Sequence, residues 1–95
     1  MQVRVRLPTQ LRNLANGASS VVVVVDSSPV TVSSVLDSLG ATHPALERRV
    51  RDETGRTRVH VNLFVDADNI RDLDGVQTTL ADGSDLSIIP AISGG

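Results

Sequence analysis

Residues 31–40 read TVSSVLDSLG and carry the chain's one extended helical pattern. Four apolar side chains recur at positions i, i+3, i+4 and i+7, which places them on one stripe of an α-helix: Val32, Val35, Leu36 and Leu39. Thr31 can cap the first turn with its hydroxyl oxygen, and Gly40 is a residue type that commonly follows a last turn. We therefore predict a helix that begins after Thr31, ends at Gly40 and buries a single face. A shorter helical turn is expected after Pro44.

The segments that precede this helix have the pattern of strands. Residues 2–7 alternate strictly, with Val3, Val5 and Leu7 on one face and polar side chains on the other, which is the period of a half-buried strand. Pro8 ends this strand because proline cannot donate to a sheet ladder. Turn-forming residues follow, and the valines at positions 21–25 form a second strand. The two strands are expected to pair as a hairpin.

Strand patterns return after the helix. Residues 59–65 alternate, so that Val61, Leu63 and Val65 point inward while His60, Asn62 and Phe64 point outward. A turn at residues 66–69 is expected to lead into a short edge strand at Ile70 and Arg71. Asp82-Gly83 is a strong turn signal, and the last strand covers residues 86–89 before Pro90. These segments complete the order strand, strand, helix, strand, short strand, strand.

This order predicts an α+β protein with the ubiquitin-like β-grasp fold, a mixed sheet of four to five strands with one main crossover helix. The apolar stripe of one helix covers one face of such a sheet, and the other face stays open to a partner. We expect a β-grasp domain at residues 1–89 and a flexible C-terminal diglycine tail at residues 90–95. Ninety-five residues leave room for one modest core and one domain.

The tail carries the reactive group of the chain. Residues 90–95 read PAISGG and would span roughly 20 Å when extended. Glycine has no Cβ, so Gly94 and Gly95 can pass through a narrow channel of another protein. The terminal carboxylate has a reference pKa of about 3.3–3.7 and is ionised near neutral pH, so that it can attack the α-phosphate of ATP. A sulfur nucleophile can then displace AMP and leave a thiocarboxylate on Gly95.

The chain also resembles a known family. It is similar over essentially its whole length to the ThiS/MoaD-type ubiquitin-like sulfur carriers, and within them to the CysO branch, which supplies sulfur for cysteine synthesis. The residues that carry the resemblance are 5–9 (VRLPT) with Leu11 and Arg12, 61–65 (VNLFV), 69–71 (NIR) and 80–95 (LADGSDLSIIPAISGG).

The resemblance implies a set of partners for the tail. The carboxylate of Gly95 would be adenylated by an E1-like adenylyltransferase of the MoeB/ThiF type, which uses ATP, while the carrier itself binds no cofactor. A sulfur-accepting enzyme such as a cysteine synthase would then take the sulfur. Ile92, Ser93 and Gly94 would thread the tail into these enzymes, with Ile92 as its anchor.

Other functions share the same carboxylate. The small subunit of molybdopterin synthase would keep its tail in a catalytic partner, and this requires a larger, more apolar interface than a shuttle does. The few outward-facing apolar residues of this chain favour the shuttle. A ubiquitin-like modifier that is conjugated to other proteins, and a binding domain whose tail has no role, are the remaining alternatives.

Two apolar residues are candidates for partner docking. By strand alternation Phe64, the one aromatic residue, points away from the helix. Ile89 is out of phase with Leu86 and Ile88 and is expected to share that open face. An exposed apolar pair on an uncovered sheet is a plausible contact for a partner, and we predict this role for both.

Composition argues against several other function classes. The net charge of −2, with no lysine and nine scattered arginines, gives no footprint for nucleic acid. There is no cysteine, and neither His43 nor His60 has a partner at ligand spacing, so we expect no metal site and no catalytic residues. The aspartates around position 70 do not form an EF-hand loop, because Ile70 and Arg71 stand where an oxygen ligand and glycine are needed. We expect a cytoplasmic monomer without a membrane segment.

Overall fold

A computed structural model describes residues 1–90 of the chain. Five strands and two α-helices form the framework: β1 Gln2–Arg6, β2 Ser20–Val24, α1 Val32–Thr42, α2 Pro44–Val50, β3 Val61–Val65, β4 Asp68–Asn69 and β5 Asp85–Pro90. Three short 3-10 helices lie in the connections: Thr9–Ala15, Ile70–Asp72 and Gly75–Gln77.

The five strands form one mixed sheet in the order β2-β1-β5-β3-β4. Strands β1 and β2 are the predicted antiparallel hairpin, while β1 pairs in parallel with β5 at the centre of the sheet. Strand β3 runs antiparallel to β5. This topology, with α1 crossing one face, confirms the predicted α+β class and the ubiquitin-like β-grasp fold.

The core lies between one face of the sheet and the two helices. Alternate residues of β1 and β3 point inward as predicted, and Leu36 and Leu39 of α1 are fully buried against them. Each fully buried Val or Leu side chain contributes roughly 1.5–3 kcal/mol relative to an exposed one. The sheet and the α1 stripe are held together by ten side chains with almost no exposed surface: Val3, Val5, Val32, Val35, Leu36, Leu39, Leu46, Val50, Leu63 and Leu86.

The start of α1 has the predicted cap. The backbone N–H of Ser34 donates to Thr31 Oγ1 at 3.1 Å, and the backbone N–H of Thr31 donates to Ser34 Oγ at 2.8 Å. This reciprocal pair is a capping box, which satisfies backbone donors that the first helical turn leaves without partners.

The prediction that α1 ends at Gly40 is wrong. The helix continues to Thr42, and His43 caps it just before Pro44 begins α2. Gly40 has ordinary helical geometry, and a Cβ built on it would lie 3.3 Å from Glu47 Cγ of α2. The glycine therefore permits a close approach between the two helices and does not mark the end of α1.

Two strand boundaries also differ from the sequence-based expectation. The short edge strand lies at Asp68–Asn69 and not at Ile70-Arg71, because Asp66 adopts a left-handed conformation that reverses the chain within two residues. Ile70 is buried at the start of a 3-10 helix. The last strand extends one residue further than expected, to Pro90, which pairs with Val61 at the end of β3.

Candidate functional site

The last described residue is placed by the central strand of the sheet. Strand β5 lies between β1 and β3, and both neighbours are registered to it. Leu86 is fully buried and Ile88 is 2% exposed, so the strand is fixed to the core by its inward side chains. Pro90, five residues before Gly95 in the sequence, is therefore held firmly by the sheet.

The predicted tail residues lie beyond this point. Ile92, Ser93, Gly94 and Gly95 are outside the described residues 1–90, and their roles in threading and sulfur attachment stay predictions. The boundary between the domain and the tail at residue 90 is likewise a prediction.

Phe64 and Ile89 share the face of the sheet that the helices do not cover. Ile89 pairs with Asn62, and Phe64 pairs with Ser87, so the two apolar residues are diagonal neighbours across β3 and β5. Ile89 is 43% exposed, and Phe64 is half-buried. The structure thus brings them together on the expected face, while their docking role stays a prediction.

Two arginines occupy the middle of the same face. Arg4 Nε lies 3.8 Å from Asp85 Oδ1, and Arg6 Nη1 lies 3.6 Å from Asp85 Oδ2. Both arginine side chains are more than half exposed, and these separations are long for charge-assisted hydrogen bonds. One carboxylate therefore serves two loosely held guanidinium groups, which leaves positive charge on the open face beside Phe64 and Ile89.

Sequence reasoning missed a second apolar pair on this face. Val22 and Val24 of β2 are 58% and 59% exposed, while Val23 between them is buried. The continuous valine run hides this alternation. The pairing of β1 with β2 would have revealed it, because Val22 pairs with the outward-facing Arg4 and Val24 pairs with Gln2.

A groove of about 230 Å³ lies where β5 ends. It is largely apolar, and Pro90 itself forms part of its wall. The groove opens on the side of the sheet opposite to Ile89, so that a partner at the end of β5 can contact both. Its other lining residues are Pro8, Gln10, Leu11, Arg49, His60, Val61 and Ile88.

The perturbed titratable groups lie together at the end of α2. Partial burial alone would lower the pKa of Arg51, but hydrogen bonds to Asp37 and Glu47 raise it above its ordinary value. The hydroxyl of Thr54 and two backbone N–H groups donate to Asp52 and lower the pKa of that carboxyl. These contacts order the loop after α2 and involve no residue of the open face. Arg51 therefore has a structural role at the end of α2.

The described part of the chain contains neither a cluster of metal-ligand side chains nor a membrane-spanning helix. Within residues 1–90, no group of three or more His, Cys, Asp or Glu side chains is arranged to hold a metal ion. In the same range, no helix has the length and apolar character that a bilayer crossing requires. Next to the end of β5, the described residues present an open sheet face with exposed apolar and arginine side chains.

A β-grasp domain that ends on its central strand beside an open face defines the class of small ubiquitin-like proteins. Comparison with known families makes this more specific, since residues 5–95 match the ThiS family. The chain belongs to the ThiS family.

Full-length relatives support this assignment. The sulfur carrier protein CysO of Mycobacterium tuberculosis is 33% identical, and the alignment covers both chains completely. Small archaeal modifier protein 3 of Haloferax volcanii is also 33% identical over all of both chains. Among solved structures, the complex of BexX and CysO from Amycolatopsis orientalis contains a chain that matches with a TM-score of 0.82 and 29% identity, covering 98% of this chain and 99% of that one.

Proposed function

We propose that this protein is a sulfur carrier that acts as a protein co-substrate and has no turnover of its own. The observation that carries the proposal is the family match, which includes the C-terminal diglycine and continues to residue 95. The full-length similarity to a protein named sulfur carrier CysO supports the same assignment. We further propose cysteine biosynthesis, or a related sulfur-containing product, as the destination of the sulfur.

The proposed chemistry takes place on the carboxylate of Gly95. One carboxylate oxygen attacks the α-phosphorus of ATP, pyrophosphate leaves, and an acyl adenylate forms. A sulfur nucleophile then attacks the acyl carbon, the bond to AMP breaks, and a thiocarboxylate remains once the sulfur is released from its donor. An E1-like adenylyltransferase binds ATP, positions it against the carboxylate and stabilises the charge that develops in the transition state. The carrier contributes the reactive end and a surface by which the enzyme holds it.

The open face is the proposed docking surface for these enzymes. Ile89 is exposed on the strand that leads into the tail, and Phe64 is its diagonal neighbour. Arg4 and Arg6 offer positive charge to acidic groups of a partner, which would favour encounter and orientation. A docking site on β5 itself fixes the distance between the enzyme's contact surface and the carboxylate that it must activate.

Intact mass spectrometry tests the carrier function. The protein is incubated with a cognate E1-like enzyme, ATP and a sulfide source, with an otherwise identical reaction without ATP as control. We expect an ATP-dependent gain equal to the mass difference between sulfur and oxygen. An unchanged mass with an enzyme that activates another carrier would contradict the proposal.

A second reaction tests the destination of the sulfur. The thiocarboxylated protein is mixed with O-phosphoserine and a cysteine-synthase-like enzyme. A cysteinyl adduct on the carrier supports the cysteine branch. Transfer of sulfur to a molybdopterin precursor alone would instead assign the chain as the small subunit of a molybdopterin synthase.

Protein modification is the second candidate, because the chain is 33% identical to a small archaeal modifier protein over its full length. A modifier would form isopeptide bonds between Gly95 and lysines of other proteins. The chain has no lysine, so chains of linked copies could form only at the amino group of Met1. That group donates a hydrogen bond to Val25 O at 2.9 Å, which makes it a poor acceptor site. Trypsin cuts this chain for the last time after Arg71, so a modified lysine would carry residues 72–95. Cellular peptides with this branched segment, found by mass spectrometry, would favour this candidate.

A further inference from the structure

The outer edge of β2 is open among the described residues 1–90. The opposite sheet edge, β4, is only two residues long and carries the exposed Asp68, features that discourage further strand pairing. Strand β2 has five residues, Ser20–Val24, without a charge, a proline or a bulge in its register with β1. Of the two sheet edges, β2 alone lacks the usual protection against a further strand.

The hydrogen bonds of β2 show which backbone groups are free. Met1 and Val25 exchange two hydrogen bonds, and Leu7 N donates to Ser19 O at 2.9 Å. Residues of an antiparallel strand alternate between bonding to one neighbour and facing away from it. Ser19 and Val25 bond to the residues on either side of β1, and by this alternation Val21 and Val23 bond to β1 itself. The residues in between direct their N–H and C=O groups away from β1: Ser20, Val22 and Val24.

The same part of the molecule is apolar on its surface. Val22 and Val24 are more than half exposed on the open face of the sheet. On the other side of β2, a groove of about 320 Å³ runs between the strand and α1. Small neutral side chains of the helix line it: Ser38, Ala41 and Thr42. An occupant of this edge thus meets a row of backbone donors and acceptors and no fixed charge.

We propose that the edge of β2 binds β2 of a second copy of this chain in antiparallel orientation. Such an interface has two-fold symmetry, and centring it on Val22 places Val22 opposite Val22 and Ser20 opposite Val24. The flanking Asp26 then faces Ala18 of the second copy, so the arrangement brings no like charges into contact.

The charged side chains of β1, the strand next to β2, are also compatible with this pairing. Arg4 pairs with Val22, which places the Arg4 residues of the two copies three strand spacings apart. At about 4.8 Å per spacing this is roughly 14 Å, beyond the screening length of about 8 Å at physiological ionic strength. Repulsion between these arginines is therefore weak, and the joined sheet would contain ten strands.

The proposed dimer leaves the site of the proposed function free. Strand β5, which carries Ile89, is the third strand from the joined edge, and β3, which carries Phe64, is the fourth. The two β5 ends point in opposite directions in an antiparallel dimer. The sequence led us to expect a monomer, and the proposed dimer replaces that expectation. The dimer does not depend on whether the protein carries sulfur.

Sedimentation equilibrium tests the proposal. A five-residue strand pair is smaller than the interfaces of roughly 1,200–2,000 Å² that hold stable complexes, so we expect dissociation on the order of 100 µM. The weight-average mass should rise toward twice the monomer mass as the concentration increases to about 1 mM. Amide hydrogen exchange at Ser20, Val22 and Val24 should slow over the same range.

Two variants at Val22 and one control locate the interface. Val22→Pro removes an outward N–H that β1 does not use, and Val22→Lys places a charge on the two-fold axis. Both should abolish the rise in mass. Val59→Lys makes the same chemical change at a side chain that is 86% exposed and outside the sheet, and it should dimerise like the parent.

Circular dichroism confirms that each variant is folded, and Val22→Lys alone decides the question if Val22→Pro does not fold. A chain that stays monomeric up to about 1 mM would overturn the proposal. So would a dimer that forms equally well with lysine at position 22.

Discussion

Ile89 and Val59 are both exposed aliphatic residues, but only Ile89 belongs to the sheet. Ile89 is 43% exposed on β5 beside Phe64, whereas Val59 is 86% exposed in a turn. The proposed docking surface therefore makes different predictions for the same substitution at the two positions.

We expect Ile89→Arg to raise the KM of the activating enzyme for this carrier about tenfold, equivalent to ~1.4 kcal/mol of lost binding. Desolvating an arginine at an apolar contact is unfavourable, while kcat should change little because the carboxylate is unaltered. Steady-state adenylation assays measure both constants. Val59→Arg is the matched control and should behave like the parent, and equal KM values for the two variants would contradict docking at Ile89.

Asp52 makes the loop after α2 sensitive to acid. Its carboxylate accepts hydrogen bonds from the backbone and hydroxyl of Thr54 and from the backbone N–H of Arg56, and these bonds lower its pKa below the ordinary value of 3.8. A carboxyl whose pKa is lowered on folding stabilises the folded state above its unfolded pKa, and this stabilisation is lost as the pH falls through the folded pKa.

We therefore expect the amides of Thr54 and Arg56 to lose protection from exchange as the pH falls below 3.8. NMR titration should place the pKa of Asp52 below the ordinary value of 3.8. In Asp52→Asn the acid-dependent change should disappear, because the amide side chain does not titrate in this range. A pKa of Asp52 at or above 3.8 would show that the hydrogen bonds do not form in solution.

At the level of elements, α1 is stabilised both by its own capping box and by packing against the sheet. Its capping box is encoded within four residues, from Thr31 to Ser34, and its buried stripe meets the sheet. Short helices are marginally stable alone, so the cap acts on a helix that packing already favours.

Thr31→Ala should lower the free energy of unfolding by about 1 kcal/mol, since it leaves the Ser34 N–H without its side-chain acceptor. Urea denaturation at constant m-value measures the change. Ser38→Ala also removes a hydroxyl from α1, but at an interior position where alanine is the better helix former, and it should be neutral or slightly stabilising. Equal losses in the two variants would exclude a specific capping effect.

The predictable elements were those with a repeating pattern. The stripe of α1 and the alternation of β1 and β3 follow directly from periodicity, and the structure confirms both. The end of α1 was not predictable from Gly40, because the reason for that glycine is Glu47 on a different helix. The outward pair on β2 was hidden because five consecutive valines show no alternation until their partner strand is known.

At the scale of the whole molecule, the described residues 1–90 contain a core that joins the sheet to the helices. The buried residues run from Val3 to Ile88. We expect the tail to contribute little packing to this core. Changes to Gly95 should therefore affect chemistry and leave folding almost unchanged.

Deletion of Gly95 should abolish adenylation and shift the melting temperature by no more than about 2 °C. ATP–pyrophosphate exchange measures the first effect, and differential scanning calorimetry measures the second. A C-terminal amide on Gly95 is the matched control, because it removes the carboxylate and retains the length. A large loss of stability on deletion would mean that the tail contributes to the fold.

The candidate site was predictable in part. The diglycine ending and the resemblance of the chain to the ThiS/MoaD-type carriers could be recognised in the sequence. The family match supports that resemblance. The placement of Phe64 and Ile89 on the open face followed from strand phase. The groove beside Pro90 was not predictable, since it is formed by segments that are distant in sequence, such as Leu11 and His60.

The parallel pairing of β1 with β5 places Met1 and Pro90 at opposite ends of the sheet. Met1 precedes β1 at one end of the sheet, and Pro90 closes β5 at the other. An affinity tag or a surface linker at the amino terminus would thus be attached at the end of the sheet opposite to Pro90. Immobilised carrier attached in this way should still present its carboxyl end to enzymes, which makes the amino terminus the suitable handle for isolating activating and sulfur-accepting proteins.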